Sequence, residues 1–179
     1  MTAPTALTGV PGTGKSTVAS ALSPGIRSVE VAELAREWGV GHRSRGGWVV
    51  DLGRMRARYR RSPPRVDLVV GHLAHLLPIR DVIVLRCQPR TLFERLKSSG
   101  RGADADRREN YLAEALDVVL AEAVRPGRRV WEVDTTDRSP TRVGHRVREL
   151  LSQRPPSSYG RVDWLADRSV TAHLLEMER

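Results

Sequence analysis

Lysine is almost missing from this chain of 179 residues: of its 30 basic side chains only Lys15 and Lys97 are lysine. Lys15, left between a glycine and a serine at the end of a glycine-rich turn, is a candidate for chemistry that arginine cannot supply. Cysteine is reduced to Cys87, which excludes an internal disulfide framework and fits a reducing compartment. No apolar run approaches the ~18 residues of a membrane-spanning helix, and no charged segment followed by an apolar stretch opens the chain. A soluble, cytoplasmic protein is therefore expected. Aromatic residues are only 4% of the chain, and none sits in an alternating basic–aromatic tract of the kind that stacks on single-stranded nucleic acid. Trp38, Trp48, Trp131 and Trp164 have apolar or β-branched neighbours and are expected to pack. Acids are outnumbered, 21 against 30, and the resulting charge of +9 favours polyanionic partners, nucleotides and RNA among them. Six arginines between Arg54 and Arg65, without an acid among them, supply two-thirds of that excess.

What remains is the material of an ordinary globular domain, 40% apolar and long enough to bury a core. "TALTG", "VDLVVGH", "DVIVLRC" and "RRVWEVDTT" are short, nearly continuous apolar runs, the pattern of strands covered on both faces. Between them lie segments of helical spacing. "KSTVASAL" follows the first strand, "SVEVAELAREWG" runs from an extended piece into a helix ending at Gly39, and "GRMRARYRR" ends at Pro63 and Pro64. "PRTLFERLKSS" opens on a proline suited to a first helical turn. "RRENYLAEALDVVLAEAV" is the longest helical pattern, with Leu112, Leu116, Val119, Leu120 and Ala123 at helical spacing. "SPTRVGHRVRELLSQ" closes the domain, entered through Ser139 and Pro140. "GHRSRGG" and "GRGADAD" read as loops, "RPPSSYG" as a linker, and the residues after it as a tail with helical potential. Strands alternating with helices predict an α/β fold with a parallel sheet between two helical layers.

The segment Gly9-Val10-Pro11-Gly12-Thr13-Gly14-Lys15-Ser16 satisfies G-x-x-x-x-G-K-[ST] between a strand and a helix. Its glycines let successive N–H groups of Gly12, Thr13, Gly14, Lys15, Ser16 and Thr17 turn toward phosphate oxygens. The helix N-terminus adds its partial positive charge. Lys15 offers a compact ammonium on a flexible stem, where the flat fork of arginine would fit poorly. The Ser16 hydroxyl suits Mg²⁺. A triphosphate-binding P-loop NTPase is expected. Small P-loop phosphotransferases close a second, basic loop over the transferring group. "RLKSSGRGADADRREN", with Arg95, Arg101, Arg107 and Arg108, suits that part.

Taken in order, "GVPGTGKST", "VVDL", "VVGHLAHLLP", "VLRCQP", "LFERL", "RRENYLAEALDVVLAEA", "EVDTT" and "VDWL" resemble the archaeal branch of the adenylate kinase isoenzyme 6 family, also called the coilin-interacting nuclear ATPases. The resemblance spans residues 6 to 166. It implies five parallel strands in the order 2-3-1-4-5 with helices on both faces, a nucleoside monophosphate-binding insert over residues 33–62 and a short lid over 99–108. These belong to one kinase domain, residues 1–168, followed by a tail, 169–179. It also implies Mg²⁺-dependent phosphoryl transfer from ATP to AMP, ATP hydrolysis, and a role in small ribosomal subunit maturation through a ribosomal protein. Carried over by position, His72 would act near the γ phosphate, His75 is the second histidine of "GHLAH", and Asp51 opens the AMP-side helix. Arg95 matches the arginine at the lid base that packs on adenine. Thr136, in "DTTDRSP", lines the adenine side.

Two departures stand out. Relatives carry an acid two residues before His72 to hold Mg²⁺ through water, and this chain has Val70. Asp67 lies three residues earlier, about 10 Å along an extended strand and on its opposite face, which leaves Asp51 as the nearer candidate. The lid reads Ser99-Gly100-Arg101 where relatives read Arg-Gly-Tyr, so Arg101 must supply its charge from beyond the glycine. The leading expectation is an adenylate kinase with ATPase activity, using Lys15, His72, Arg101 and Arg108. The alternative is a nucleotide-gated ribosome assembly factor with little kinase activity, its basic cluster facing RNA or a ribosomal protein. A different acceptor on the same fold, another nucleoside monophosphate or a small alcohol, also remains open.

Overall fold

The structure, a computed structural model, describes residues 3–44 and 47–177, without the side chains of residues 47, 48 and 177. The packing expected of Trp48 lies outside the described residues.

Five parallel strands form the central sheet: β1 (Thr5–Thr8), β2 (Ser28–Glu30), β5 (Leu68–Val70), β6 (Asp81–Arg86) and β7 (Arg129–Asp134). They are arranged β2-β5-β1-β6-β7, which in chain order is 2-3-1-4-5. The apolar runs are continuous because both faces are covered. Ala6, Val69, Val82, Val84 and Val130 point into one core layer, and their neighbours Leu7, Leu68, Val70, Ile83, Leu85 and Trp131 into the other. The first layer is closed by α2 (Val31–Glu37), α3 (Leu52–Arg61) and α6 (Val118–Ala123). The second is closed by α1 (Lys15–Leu22) and α7 (Pro140–Gln153), whose Val18, Leu22, Val143 and Val147 meet across the sheet face. The fold is the expected three-layer α/β sandwich.

Helix ends follow local chemistry. Asp51 caps α3 by accepting from Arg54 N at 3.0 Å, and Ser139 caps α7 through Arg142 N at 3.3 Å. Gln88 caps α4 (Pro89–Ser98) through Thr91 N at 2.9 Å, with Pro89 in the first turn.

Three expectations are corrected. "GHRSRGG" is not simply a loop, because Gly41–Ser44 forms β3, antiparallel to β4 (Gly47–Val50). The long helical pattern is two helices, α5 (Asp104–Ala115) and α6, broken at Asp117, which adopts φ 56°. Leu112 and Leu116 are consequently 43% and 54% exposed, while Tyr111, Glu114 and Ala115 face inward. The break brings the Asp117 carboxylate to Arg86, a buried guanidinium that also meets Glu132 and donates from Nε to Glu114 Oε1 at 2.7 Å. A buried charge must be paired, and that need outweighs helical continuity here. Finally, "RPPSSYG" is not a free linker. Ser158 donates to Val130 O and accepts from Glu132 N, both at 2.9 Å, extending the sheet edge. Trp164 Nε1 donates to Glu114 Oε1 at 3.0 Å, and α8 (Arg168–Met177) buries Val170 against Tyr111.

Candidate active site

All five parallel strands end on one edge, and the candidate groups gather there, as ligands do in open parallel sheets. The turn after β1 is built by glycine. Gly9, Gly12 and Gly14 have φ of 143°, 94° and 91°. A Cβ on Gly9 would lie 2.4 Å from Leu85 O and 2.8 Å from Thr13 Oγ1. No other residue fits between the strand ends, and the loop curls back onto the start of α1. Thr13 is fully buried and donates from Oγ1 to Val10 O at 2.9 Å, which holds the curl from inside.

Lys15 folds over this loop and donates from Nζ to Gly9 O at 2.9 Å and Val10 O at 3.0 Å. Burial pushes its pKa down to about 8, Glu30 and Glu114 oppose that fall, and Arg101 adds to it. Ser16, at the start of α1, donates to Glu30 Oε1 at 2.7 Å.

The loop forms one wall of a cavity of about 680 Å³. Gly12 to Thr17, His72, Arg95 and Arg101 all line it, so most of the expected site residues are brought together. His72 faces this space. Partial burial, then the Lys15 ammonium and His75, lower its pKa below the ordinary histidine value, which leaves a neutral imidazole at neutral pH. Arg95 crosses to the end of β7, donating from Nη2 to Thr135 O at 3.1 Å.

His75 has a different place. It is 1% exposed, with Nδ1 2.8 Å from Thr8 Oγ1 and Nε2 2.8 Å from Glu122 Oε2. It buttresses the end of β1 beneath the cavity. Asp51 is occupied as the α3 cap and does not line the cavity; Asp67 accepts from Arg27 N at 2.9 Å on the far side. Neither reaches Ser16.

Two expected residues fall outside the lining. Arg108 is exposed on α5. Thr136 is turned away, accepting from Gln88 N at 2.8 Å and donating to Asp134 Oδ1 at 2.7 Å; its neighbour Thr135 lines the cavity instead. Asn110, Arg138 and Glu30 also line it and had no assigned role from sequence. Asn110 stands in the "EN" of the resemblance and Arg138 in "DTTDRSP", so both had a signal. Glu30 had none beyond ending a strand.

No group of three or more metal-ligating His, Cys, Asp or Glu side chains exists among the described residues. A fully protein-built cage is therefore not offered by them. A serine hydroxyl beside a phosphate cradle is nevertheless a hard-oxygen donor of the kind Mg²⁺ takes when nucleotide phosphates and water complete its shell.

The fold and this strand–cradle–helix edge define a P-loop protein. Solved structures of that architecture include shikimate kinase from Acinetobacter baumannii, TM-score 0.56 at 18% identity over 86% of this chain and 95% of that one. A gluconokinase from Sinorhizobium meliloti gives 0.53 at 18% identity, over 85% and 93%. At that identity the likeness concerns the fold alone. A family profile described as an AAA domain matches residues 6–117. Among curated proteins, a "Putative adenylate kinase" of Archaeoglobus fulgidus is 40% identical over 172 residues, 90% of this chain and 92% of the relative. The protein of the same name from Thermococcus onnurineus is 38% identical over 161 residues, 88% and 89%. The chain belongs to this archaeal family. Among the described residues no helix is long and apolar enough to cross a membrane.

Proposed function

We propose that the chain is a Mg²⁺-dependent adenylate kinase of the isoenzyme 6 branch, transferring the terminal phosphoryl group of ATP to AMP, with ATP hydrolysis as its second activity. The observation that carries this reading is convergence: the glycine cradle with its Lys15, His72, and the pair Arg95 and Arg101 share one cavity although they come from three separate segments. The backbone amides of Gly12 to Thr17 bind the phosphates, and the Lys15 ammonium leaves the Gly9 and Val10 carbonyls to stabilise charge on the transferring group. Arg101 adds charge from the lid. A neutral His72 is suited to accept a proton from, or orient, the attacking group. Arg95 and Thr135 frame the adenine side. Bound Mg²⁺ would neutralise charge at the phosphate oxygens, with the Ser16 hydroxyl among its ligands. Residues 33–62, which include the β3–β4 hairpin and α3, are the proposed AMP-binding insert. A coupled assay for ADP, with ATP alone and with ATP plus AMP, tests the reading. AMP-dependent ADP production abolished by Lys15→Ala is expected, and production no higher than that variant's would refute it.

A second reading, the nucleotide-gated assembly factor, is favoured by one observation. Arg54, Arg58, Arg60, Arg61 and Arg65 of the basic cluster are exposed, while Arg56 is held by Leu76 O at 2.7 Å. Such a face suits RNA. Binding to small-subunit RNA that weakens steeply with salt, and with Arg58→Ala/Arg61→Ala, supports it; binding indifferent to both speaks against it.

A further inference from the structure

Resting on the kinase reading, we propose that Glu30 supplies the metal-side carboxylate that position 70 lacks, so that the acid of the Mg²⁺ site is carried by the neighbouring strand. Val70 ends β5, is 1% exposed, and packs in the same apolar layer as Val18, Ala19 and Leu22 of α1. It has no donor atom to offer. Its register partner across the parallel β2–β5 pair is Glu30. Register partners on adjacent strands lie about 4.8 Å apart and direct their side chains to the same face. Glu30 therefore leaves the sheet on the side of α1, where a carboxylate at position 70 would have pointed.

The distances agree. Glu30 Oε1 accepts from Ser16 Oγ at 2.7 Å. A serine whose proton is committed to a carboxylate presents its lone pairs outward, the state in which a hydroxyl is the better metal ligand. The strand ends are also close: a Cβ on Gly71 would come within 3.1 Å of Val31 Cβ, the residue after Glu30. Glu30 lines the cavity beside Gly71 and His72 and is the one carboxylate among its described lining residues. The competing acids are committed elsewhere, Asp51 to the α3 cap, Asp67 to Arg27 and Glu114 to Arg86. One carboxylate reaching through water, one hydroxyl and the phosphates themselves form the sparse donor set Mg²⁺ uses in kinases.

The test separates metal binding from turnover. Affinity for a non-hydrolysable ATP analogue is measured calorimetrically with Mg²⁺ and with a chelator, in the wild type, Glu30→Gln and Glu30→Asp. The expected result is a Mg²⁺-dependent gain in affinity that Glu30→Gln reduces at least about tenfold and Glu30→Asp partly retains. Metal-free affinity should change by a smaller factor than the Mg²⁺-dependent gain, because Glu30 also supports the charge of Lys15. An equal loss with and without Mg²⁺ would make Glu30 a structural tether between α1 and β2, and an undiminished Mg²⁺ gain in Glu30→Gln would also overturn the assignment. Both leave the kinase reading standing. Failure of the wild type to bind the analogue at all would instead sink the kinase reading, and the role of Glu30 with it.

Discussion

On the proposed function, Lys15 should make binding of ATP a proton-uptake reaction, and the size of the effect follows from its surroundings. In the free protein its pKa is about 8, lowered from 10.5, with burial as the leading cause. A triphosphate brought against the ammonium restores the charged form, so the complex keeps a proton that the free protein sheds near pH 8. The competent fraction of free protein is then about nine-tenths at pH 7 and about one-tenth at pH 9. Apparent affinity should fall about tenfold between those values, or about 1.4 kcal/mol. Near pH 8 each binding event should take up about half a proton. Calorimetry in two buffers of different ionisation enthalpy reads that uptake directly. Few other groups interfere: burial pushes Cys87 up to about 11 and Tyr59 and Tyr111 to about 12, and His72 has already lost its proton. Lys15→Arg, permanently charged, should bind without the uptake whatever its affinity. Wild-type binding at pH 8 with no proton uptake, or uptake equal to that of Lys15→Arg, would refute the argument. The sign for stability follows from the same shift. Between about pH 8 and 10.5 the unfolded chain holds a proton that the native state lacks, so this residue makes the free protein more stable as pH rises through that window.

Two further predictions concern the scaffold. Gly9→Ala places a methyl group 2.4 Å from Leu85 O at φ 143°, so a loss of about 3 kcal/mol in urea unfolding and loss of nucleotide binding are expected; Gly100→Ala, at φ 64° with no atom within 4 Å of the added carbon, should cost only about 1 kcal/mol. Glu114→Gln removes one of the two buried countercharges of Arg86 and should cost about 3 kcal/mol in the same assay, whereas a cost below about 0.5 kcal/mol would show that Glu132 and Asp117 suffice.

The parts of the molecule legible in the sequence are those whose causes are local. Gly9, Gly12, Gly14 and Lys15 announce a cradle because the backbone shape is set by the glycines themselves. The strands announce themselves because a sheet covered on both faces needs apolar residues on both. Strand β3 hides in "GHRSRGG" because His42, Arg43 and Ser44 are all exposed, so no alternation marks it. The break at Asp117 hides because its cause is Arg86, 31 residues away in the chain. The choice of Thr135 over Thr136 turns on which residue of a strand end faces the cavity, a matter of one position. Glu30 illustrates the deepest limit. The pairing that sets it opposite Val70 is a register between strands, and register is a property of the assembled sheet.

The proposed lid, residues 99–108, completes a division of labour between two kinds of cation. Arg107 binds the carbonyl oxygens of Arg101 and Gly102 and the carboxylate of Asp104, while Asp106 accepts from Ala103 N at 2.9 Å. Those contacts hold the turn from the α5 side and account for Arg107 as a brace, leaving Arg101 to line the cavity. Ser99 lines the same cavity without a charge, and of the arginines in residues 99–108 Arg101 is the one that lines it. Arginine keeps its proton at any physiological pH. Arg95, Arg101 and Arg138 thus supply guanidinium groups to the lining, and the buried ammonium of Lys15 is the cation that solvent access and phosphate can switch. A chain that replaced nearly every other lysine would gain nothing by replacing this one, because a guanidinium at residue 15 would forfeit both the compact fit beneath the loop and the proton exchange that comes with it.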